Sequence, residues 1–446
     1  MTNQNITEAI KGPVVAFLFV LMISVAGVVA QPANDNFATA EVITGLRTAV
    51  TRTNVGATKQ SFEPNHAQNL GGKSVWFRWT APQSGTMLFG TNRTEGSFDS
   101  LLSIYIGTDI AVLSGRGSNN DISSPVNLKS VVRTNVTAGT TYNIVVDGAV
   151  VNGGAAAEGT FTLDIRPVHP YQSADYDGDG EADLAVFRPS DNTWYIKGST
   201  RDIFRHWGTD GDIPVTMSRS NGRNEPTVFR PSTGLWSYSG AFPVYLPWGL
   251  AGDIPVPESY GSEVSSAFAI YRPANGTWYV YFTEQDTRTY KFGLQGDIPV
   301  PGRYSADPAA DLAVYRPSNG VWYILRRING NPGNDSFHAV QFGQPGDKPV
   351  QGDYDGDGVL DPAIFRPSTG TWWILRSSDG QQHAFQWGVA SDIPVTGDFD
   401  QDGIFDLAVF RPSEGNWYIR HSNSGSVRIE HWGMNGDVPM TSNRGY

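Results

Sequence analysis

Asp175-Tyr-Asp-Gly-Asp-Gly-Glu-Ala-Asp-Leu-Ala-Val-Phe-Arg-Pro189 decides the fold, because the pattern it ends on returns five more times. The Arg-Pro pairs are Arg188-Pro189, Arg230-Pro231, Arg272-Pro273, Arg316-Pro317, Arg366-Pro367 and Arg411-Pro412, spaced by 42, 42, 44, 50 and 45 residues. Five residues past each proline stands a tryptophan: Trp194, Trp236, Trp278, Trp322, Trp372 and Trp417. Each unit reads as alternating apolar strands broken by Ser-Thr-Gly, Ser-Asn-Gly or Asn-Gly turns, as in Leu407-Ala-Val-Phe-Arg-Pro, Asn416-Trp-Tyr-Ile-Arg and Arg428-Ile-Glu-His-Trp. Three or four short antiparallel strands at a period of about 40 to 45 residues are the signature of a propeller blade. The tryptophans are then core residues that fill the space between neighbouring blades.

The repeats also predict how the ring closes. A Gly-Asp-x-Pro or Ser-Asp-x-Pro segment recurs at Asp212, Asp253, Asp297, Asp347, Asp392 and Asp437, and the last has no blade after it. The first blade is preceded by Val168-His-Pro-Tyr-Gln-Ser-Ala174, which lacks that segment. The strand Asp437–Thr441 is therefore expected to dock into the first blade, giving a six-bladed propeller over residues 167–446.

Residues 31–166 carry no such repeat but contain short alternating strands: Ser74-Val-Trp-Phe-Arg-Trp79, Thr86-Met-Leu-Phe, Leu101-Leu-Ser-Ile-Tyr-Ile106, Thr141-Tyr-Asn-Ile-Val-Val146 and Thr160-Phe-Thr-Leu-Asp-Ile165. Gly, Asn, Ser and Thr separate them at the intervals of a β-sandwich. The boundary falls at Arg166-Pro-Val-His-Pro170, too short for a freely reaching linker, so the two domains are expected to lie close together.

Composition agrees with an all-β chain. Of 446 residues, 50 are Gly and 28 Pro, only 17% are charged, and 13 Trp, 18 Tyr and 22 Phe supply enough apolar surface to exclude disorder. With no cysteine, disulfide scaffolds, thiolate zinc sites, iron–sulfur clusters and a cysteine nucleophile are excluded. Lys and Arg number 32 against 44 Asp and Glu, a net charge of −12, with no basic stripe to neutralise phosphates, so nucleic acid is not an expected partner. Residues 1–30 stand apart: Lys11 precedes an apolar run from Pro13 to Ala30, and Val28 and Ala30 precede Gln31 as a signal peptidase site requires. Cleavage after Ala30 is expected, with an uncleaved anchor the alternative. No second apolar run follows, so no stable membrane insertion is expected once the signal is gone.

Three of the six repeats hold an intact Asp-x-Asp-x-Asp-Gly-x-x-Asp loop: Asp175, Asp177, Asp179 and Asp183; Asp353, Asp355, Asp357 and Asp361; Asp398, Asp400, Asp402 and Asp406. Alternate carboxylates in a tight loop, a Gly at the sixth position, a backbone carbonyl at the seventh (Glu181, Val359, Ile404) and a closing Asp meet the requirements of Ca²⁺, and hard oxygen donors favour it over transition metals. A lone Asp-Gly pair is an ordinary hairpin turn. Four acidic residues at fixed spacing, three times over, are more than a turn needs. The other three loops, Met217–Glu225, Ser259–Ala267 and Arg303–Asp311, have lost most of the carboxylates, although they share the rest of the repeat, so the ion is expected to brace turns and not to catalyse.

The recurrent arginine could ring an anionic ligand, but recurrence beside Pro and opposite the equally recurrent Asp of the Gly-Asp turn favours a structural ion pair. The seven histidines are scattered; there is no Gly-x-Ser-x-Gly, His-Glu-x-x-His or phosphate loop, and no catalytic residue is nominated. Glu63-Pro-Asn-His66 and Asn119-Asn-Asp121 read as turn and capping residues, with a second metal site the alternative.

The Asp175–Pro189 run and its copies resemble the FG-GAP/VCBS-type repeats of bacterial secreted proteins and, more distantly, the calcium-binding blades of integrin α-subunits. The resemblance covers residues 167–446. It implies a propeller with calcium between the first two strands of a blade, and a role in adhesion or ligand binding; propellers of that wider group usually have seven blades, against the six counted here. Asn34-Asp-Asn-Phe37, Gly72-Lys-Ser-Val-Trp-Phe-Arg-Trp-Thr-Ala-Pro82, Ser97-Phe-Asp-Ser-Leu-Leu102 and Ala138-Gly-Thr-Thr-Tyr142 resemble bacterial pre-peptidase C-terminal-like domains. That resemblance implies a jelly-roll-like sandwich accessory to secreted enzymes. The expectation is an exported, calcium-stabilised, non-enzymatic binding protein whose partner is an extracellular protein or a polysaccharide. A lectin-like propeller, with loops such as Arg327–Ser336 holding sugar, and a polysaccharide-degrading enzyme are the alternatives.

Overall fold

The computed structural model describes residues 30–91, 98–121, 128–167, 174–198, 202–219, 223–239, 244–261, 265–305, 307, 309–326 and 335–440. The expected signal segment, most of the 327–336 insertion and the joining residues 168–173 lie outside them. Among the described residues no helix is long and apolar enough to cross a membrane, and helix is confined to two short 3-10 turns.

The N-terminal region consists of two sheets around one core. The first has strands 41–43, 75–80, 141–148, 100–106 and 114–119 in that spatial order, and the second has 48–53, 160–167, 85–90 and 131–136. The period of two in Val75-Trp-Phe-Arg-Trp-Thr80 sends Val75, Phe77 and Trp79 into the shared core. There they meet Met87, Phe89, Phe161, Leu163 and Ile165 of the facing sheet. Trp76 points the other way and is covered by Phe37, Ala40 and Tyr105. Strands 48–53 and 114–119 have no apolar alternation; Ser114-Gly-Arg-Gly-Ser-Asn119 forms the edge of its sheet, where little is buried.

Among the described residues the repeats form six four-stranded sheets. Five take their strands in chain order, beginning at residues 213, 254, 298, 348 and 393. The sixth joins 184–188, 193–197 and 202–206 to the chain's last strand, Val438–Pro439, which pairs antiparallel with 184–188 through Phe187↔Val438 and Val186↔Pro439. Successive sheets share apolar cores, and the last shares one with the first: Phe399, Phe410, Trp417 and Ile419 pack with Leu184 and Val186. The six sheets therefore make a closed ring.

Each element of the repeat has a visible structural use. The six tryptophans after Arg-Pro are fully buried. Their indole N–H groups donate to the carbonyl before the Gly of the Trp-Gly or Phe-Gly pair, at 2.7–3.3 Å. Where that pair begins with Trp, its indole reaches onward to the next sheet, as Trp207 to Ser237, Trp248 to Tyr279 and Trp387 to Tyr418. The turn between second and third strands needs a left-handed residue: Gly234, Gly276, Gly320, Gly370 and Gly415 have φ of +63 to +67°, and a Cβ there would fall 2.1–2.3 Å from a following glycine carbonyl oxygen. The first sheet places Asn192 there, at φ 54°.

The arginines behave as structural ion pairs. Nε and Nη2 of Arg188, Arg230, Arg272, Arg316, Arg366 and Arg411 donate to the two oxygens of Asp437, Asp212, Asp253, Asp297, Asp347 and Asp392 respectively, at 2.7–3.0 Å. Each of those carboxylates also accepts a backbone N–H three residues upstream, for example Leu250 to Asp253. Five of the six guanidiniums lie over an aromatic ring, Arg316 at 4.2 Å from the centre of Tyr323.

Candidate metal centres

The loops between first and second strands form a second ring of contacts. In each sheet, one carbonyl at or beside the loop's first position accepts an N–H from the next sheet's loop: Asp175 from Asn224, Ser218 from Ser266, Ser259 from Ala310, Arg303 from Leu360, Asp353 from Phe405 and Asp398 from Ala182, at 2.7–3.0 Å. Because the ring closes between the last sheet and the first, the three Asp-rich loops are consecutive around it, although the chain separates Asp175 from Asp353 by more than a third of its length.

Within each Asp-rich loop the backbone winds around its own carboxylates. The seventh residue, Glu181, Val359 or Ile404, donates its N–H to the fifth-position aspartate at 2.8 Å in all three. The ninth-position aspartate accepts the second residue's N–H at 2.7–2.9 Å. The loop brings one oxygen each from Asp175, Asp177 and Asp183 within 4.8 Å of one another; Asp353, Asp355 and Asp357, and Asp398, Asp400 and Asp402, do the same. Asp179 and Asp361 stand outside those groups. Asp406 instead joins Asp400 and His421, whose Nδ1 lies 3.2 Å from Asp406 and 3.5 Å from Asp400.

Gathering carboxylates out of water raises their pKa values, first by desolvation and then by mutual repulsion. Burial, helped by Asp355, pushes Asp361 up to about 8. Burial and Asp400 push Asp406 to about 8, and burial opposed by the Arg166 guanidinium leaves Asp398 at about 7. Asp183 is pushed well up by burial and its three loop partners, and burial raises Asp175 and Asp357. One oxygen, Oδ1 of Asp398, is buried and makes no hydrogen bond among the described residues. Clustered, desolvated oxygen donors with an orphaned carboxylate oxygen fit a hard divalent cation.

Sequence reading missed two pairs of contributors. Ser377 and Ser378 close over the Asp353 loop from the next hairpin, Ser377 N–H to Asp361 at 2.6 Å and Ser378 Oγ to Asp355 at 2.6 Å. His421 and Ser422 do so over the Asp398 loop, Ser422 N–H to Asp406 at 2.8 Å. The only signal was position, since both pairs directly follow a third strand. The three degenerate loops differ as their sequences suggest. Where Asp residues are gone the ladder zips further, Met217 pairing with Glu225 and Ser218 with Asn224, while the Arg303–Asp311 loop keeps the contacts of Asp311 with the Tyr304 N–H, 2.9 Å, and of Asp307 with the Ala309 N–H, 3.1 Å.

In the N-terminal region Glu63, His66 and Asp147 also converge. Their groups are already engaged: His66 Nε2 with Glu63 at 2.8 Å, His66 Nδ1 with the Tyr105 hydroxyl at 3.0 Å, and Asp147 with the N–H groups of Gly72, Lys73 and Gly148. This network pins a loop onto the sheet. Asn119 likewise caps its loop, its side chain bonded to Asp121 O and Val131 N–H.

No protein-family model matches the chain, and no curated protein does. Solved structures with a similar trace include virginiamycin B lyase from Staphylococcus aureus, 11% identical with a TM-score of 0.38, the match covering 59% of this chain and 89% of that one. AztD from Citrobacter koseri is 9% identical, TM-score 0.37, over 77% and 97%. BBS1N, solved in complex with ARL6DN, is 11% identical, TM-score 0.37, over 61% and 92%. Likenesses this distant carry no conclusion about function.

Proposed function

We propose that the chain is an exported, calcium-binding, non-enzymatic binding protein, built from a jelly-roll-like β-sandwich (residues 31–166) and a six-bladed FG-GAP/VCBS-type propeller (residues 167–446). The observation that carries this reading is the convergence of aspartates in three consecutive loops, each around a buried first aspartate, with an oxygen on Asp398 that is buried and makes no hydrogen bond among the described residues. Asp175, Asp177 and Asp183, Asp353, Asp355 and Asp357, and Asp398, Asp400 and Asp402 would hold the ions, with the fourth aspartate of each loop completing or orienting the set. Ca²⁺ there supplies positive charge that neutralises crowded carboxylates and fixes loop shape. The ions then serve the scaffold, leaving the opposite turns and variable loops for an extracellular protein or polysaccharide.

Titration calorimetry of chelator-treated protein tests the metal reading: uptake of about three Ca²⁺ per chain is expected from the ligand sets, and no uptake removes the proposal. A glycan array distinguishes a polysaccharide ligand from a protein one. Turnover of a polysaccharide panel, lost on a single Asp or His substitution, overturns the non-enzymatic assignment.

A further inference from the structure

Each of the three Asp-rich loops is met by a different arginine of the N-terminal region. Arg133, on strand 131–136, donates through Nη2 to Oδ2 of Asp175. Arg166, on strand 160–167, places Nη1 3.4 Å from Oδ2 of Asp398 and donates through Nη2 to the Gly180 carbonyl at 3.2 Å. Arg47 donates through Nε to the Gly356 carbonyl at 3.3 Å and holds Nη2 3.8 Å from Oδ2 of Asp353. The partner carboxylate is the first aspartate in all three loops. Among the described residues no such contact from the N-terminal region reaches the three degenerate loops, so the loops that keep their aspartates are the ones beneath this region.

The fit is close and desolvated. Arg166 is 2% exposed and anchored from behind by Asp164 at 3.0 Å. The loop glycines leave the room: a Cβ on Gly403 would fall 1.3 Å from Nη1 of Arg47, and one on Gly180 would fall 2.8 Å from Nη2 of Arg166. At Asp398 the two oxygens divide the work. Oδ2 takes Arg166 and the Gly403 N–H at 2.8 Å, while Oδ1 has no hydrogen-bond partner among the described residues. Four carboxylates per loop carry a formal −4, enough to hold a guanidinium on one side and a divalent cation on the other.

We infer that the three cation loops are the joint between the N-terminal region and the ring, and that cation loading holds this joint closed. The inference rests on the metal reading above. An ion fixed by the inward oxygens holds each loop in the shape its arginine recognises. Without it, repelling carboxylates open the loop or take up protons, and each arginine loses its partner charge. By linkage, docking in turn strengthens cation binding.

Small-angle scattering of the full exported chain, residues 31–446, tests this beside calorimetry. Chelation is expected to raise the radius of gyration and give the distance distribution a second peak, and Ca²⁺ to reverse both. The R47Q/R133Q/R166Q variant is expected to take up three ions yet scatter as the extended form at saturating Ca²⁺; should it not fold, R133Q alone, with a partial rise, serves instead. Uptake of Ca²⁺ with no change in scattering, or expansion on adding Ca²⁺, overturns the joint and leaves the metal reading standing. No uptake at all removes both.

Discussion

The indole N–H of Trp432, in the last sheet, donates to the carbonyl oxygen of Tyr195, in the first, at 3.1 Å across 237 residues of chain. The same bond joins Trp207, Trp248 and Trp387 to the sheets that follow theirs, so the junction between chain ends matches the three internal ones whose pair begins with Trp. Closure additionally uses Asp437 against Arg188 and buries Met440.

Stopping the chain after Gly436 therefore removes a bidentate charged pair and a buried side chain at once. A charged hydrogen bond contributes about 1.5–3 kcal/mol, and a buried Met about 1.5–3 kcal/mol. A fall of several degrees in the melting temperature of the ring is expected in differential scanning calorimetry. An unchanged transition would show that the last strand contributes nothing to closure.

Arg316→Lys and Arg230→Lys should differ. Both lose the planar fork that grips a buried aspartate, but Arg316 also lies over Tyr323 while Arg230 has Ser237 at the matching position. The stacked case is expected to cost about 0.5–2 kcal/mol more in urea unfolding. Equal costs would assign the whole effect to the ion pair.

Much of this was legible in the sequence because the ring repeats. Six Arg-Pro pairs, six tryptophans and six Gly-Asp or Ser-Asp turns gave the sheets, their pairing arginines and the closing strand, since one mistaken unit is outvoted by five. The N-terminal region offers no such redundancy, and strands 41–43, 48–53, 114–119 and 131–136 went unread; Thr-Ala-Val-Thr-Arg-Thr and Ser-Gly-Arg-Gly-Ser-Asn bury too little to alternate. The clustering of the aspartates was legible from spacing. Arg47, Arg133, Arg166 and His421 were not, because each reaches its loop through tertiary packing, and an isolated arginine on a strand carries no mark of the carboxylate it will meet.

Gly403→Ala tests the close approach of Arg47. Gly403 has φ +83°, and a suitable control is Gly436, at φ +93° with nothing within 4 Å of its added Cβ. Each substitution carries a left-handed backbone penalty of about 1–2 kcal/mol. The Gly403 variant must also expel a guanidinium, so it is expected to lose more stability than Gly436→Ala in parallel thermal melts; matching losses would mean that Arg47 moves aside freely.

Asp398→Asn replaces a carboxylate whose Oδ1 makes no hydrogen bond among the described residues, and Asp307→Asn replaces a carboxylate of a degenerate loop, bonded to the Ala309 N–H at 3.1 Å. The first is expected to lower calorimetric Ca²⁺ stoichiometry from about three to about two, because a neutral amide removes both charge and one hard oxygen from the set. The second leaves it at three. A stoichiometry unaffected by Asp398→Asn would place the ions elsewhere.

Protons and cations compete for the same oxygens, which fixes the sign of the pH dependence. In the metal-free fold Asp361 and Asp406 titrate near 8 and Asp398 near 7, far above about 3.9 for an unfolded aspartate. The native state therefore holds more protons than the unfolded state between these limits. Stability from these groups is fully present below pH about 4 and is lost as pH rises through 7 to 8. Chelated protein is accordingly expected to melt at a lower temperature at pH 8 than at pH 5.5 as far as these carboxylates govern it. Ca²⁺ should reverse the trend, since it binds the deprotonated loops and its affinity rises with pH. The measurement is a set of melting curves across pH 5 to 8.5, with chelator and with saturating Ca²⁺. A chelated protein whose stability climbs toward pH 8 would mean that the loop carboxylates are ionised without a metal, their charge balanced by Arg47, Arg133 and Arg166 alone.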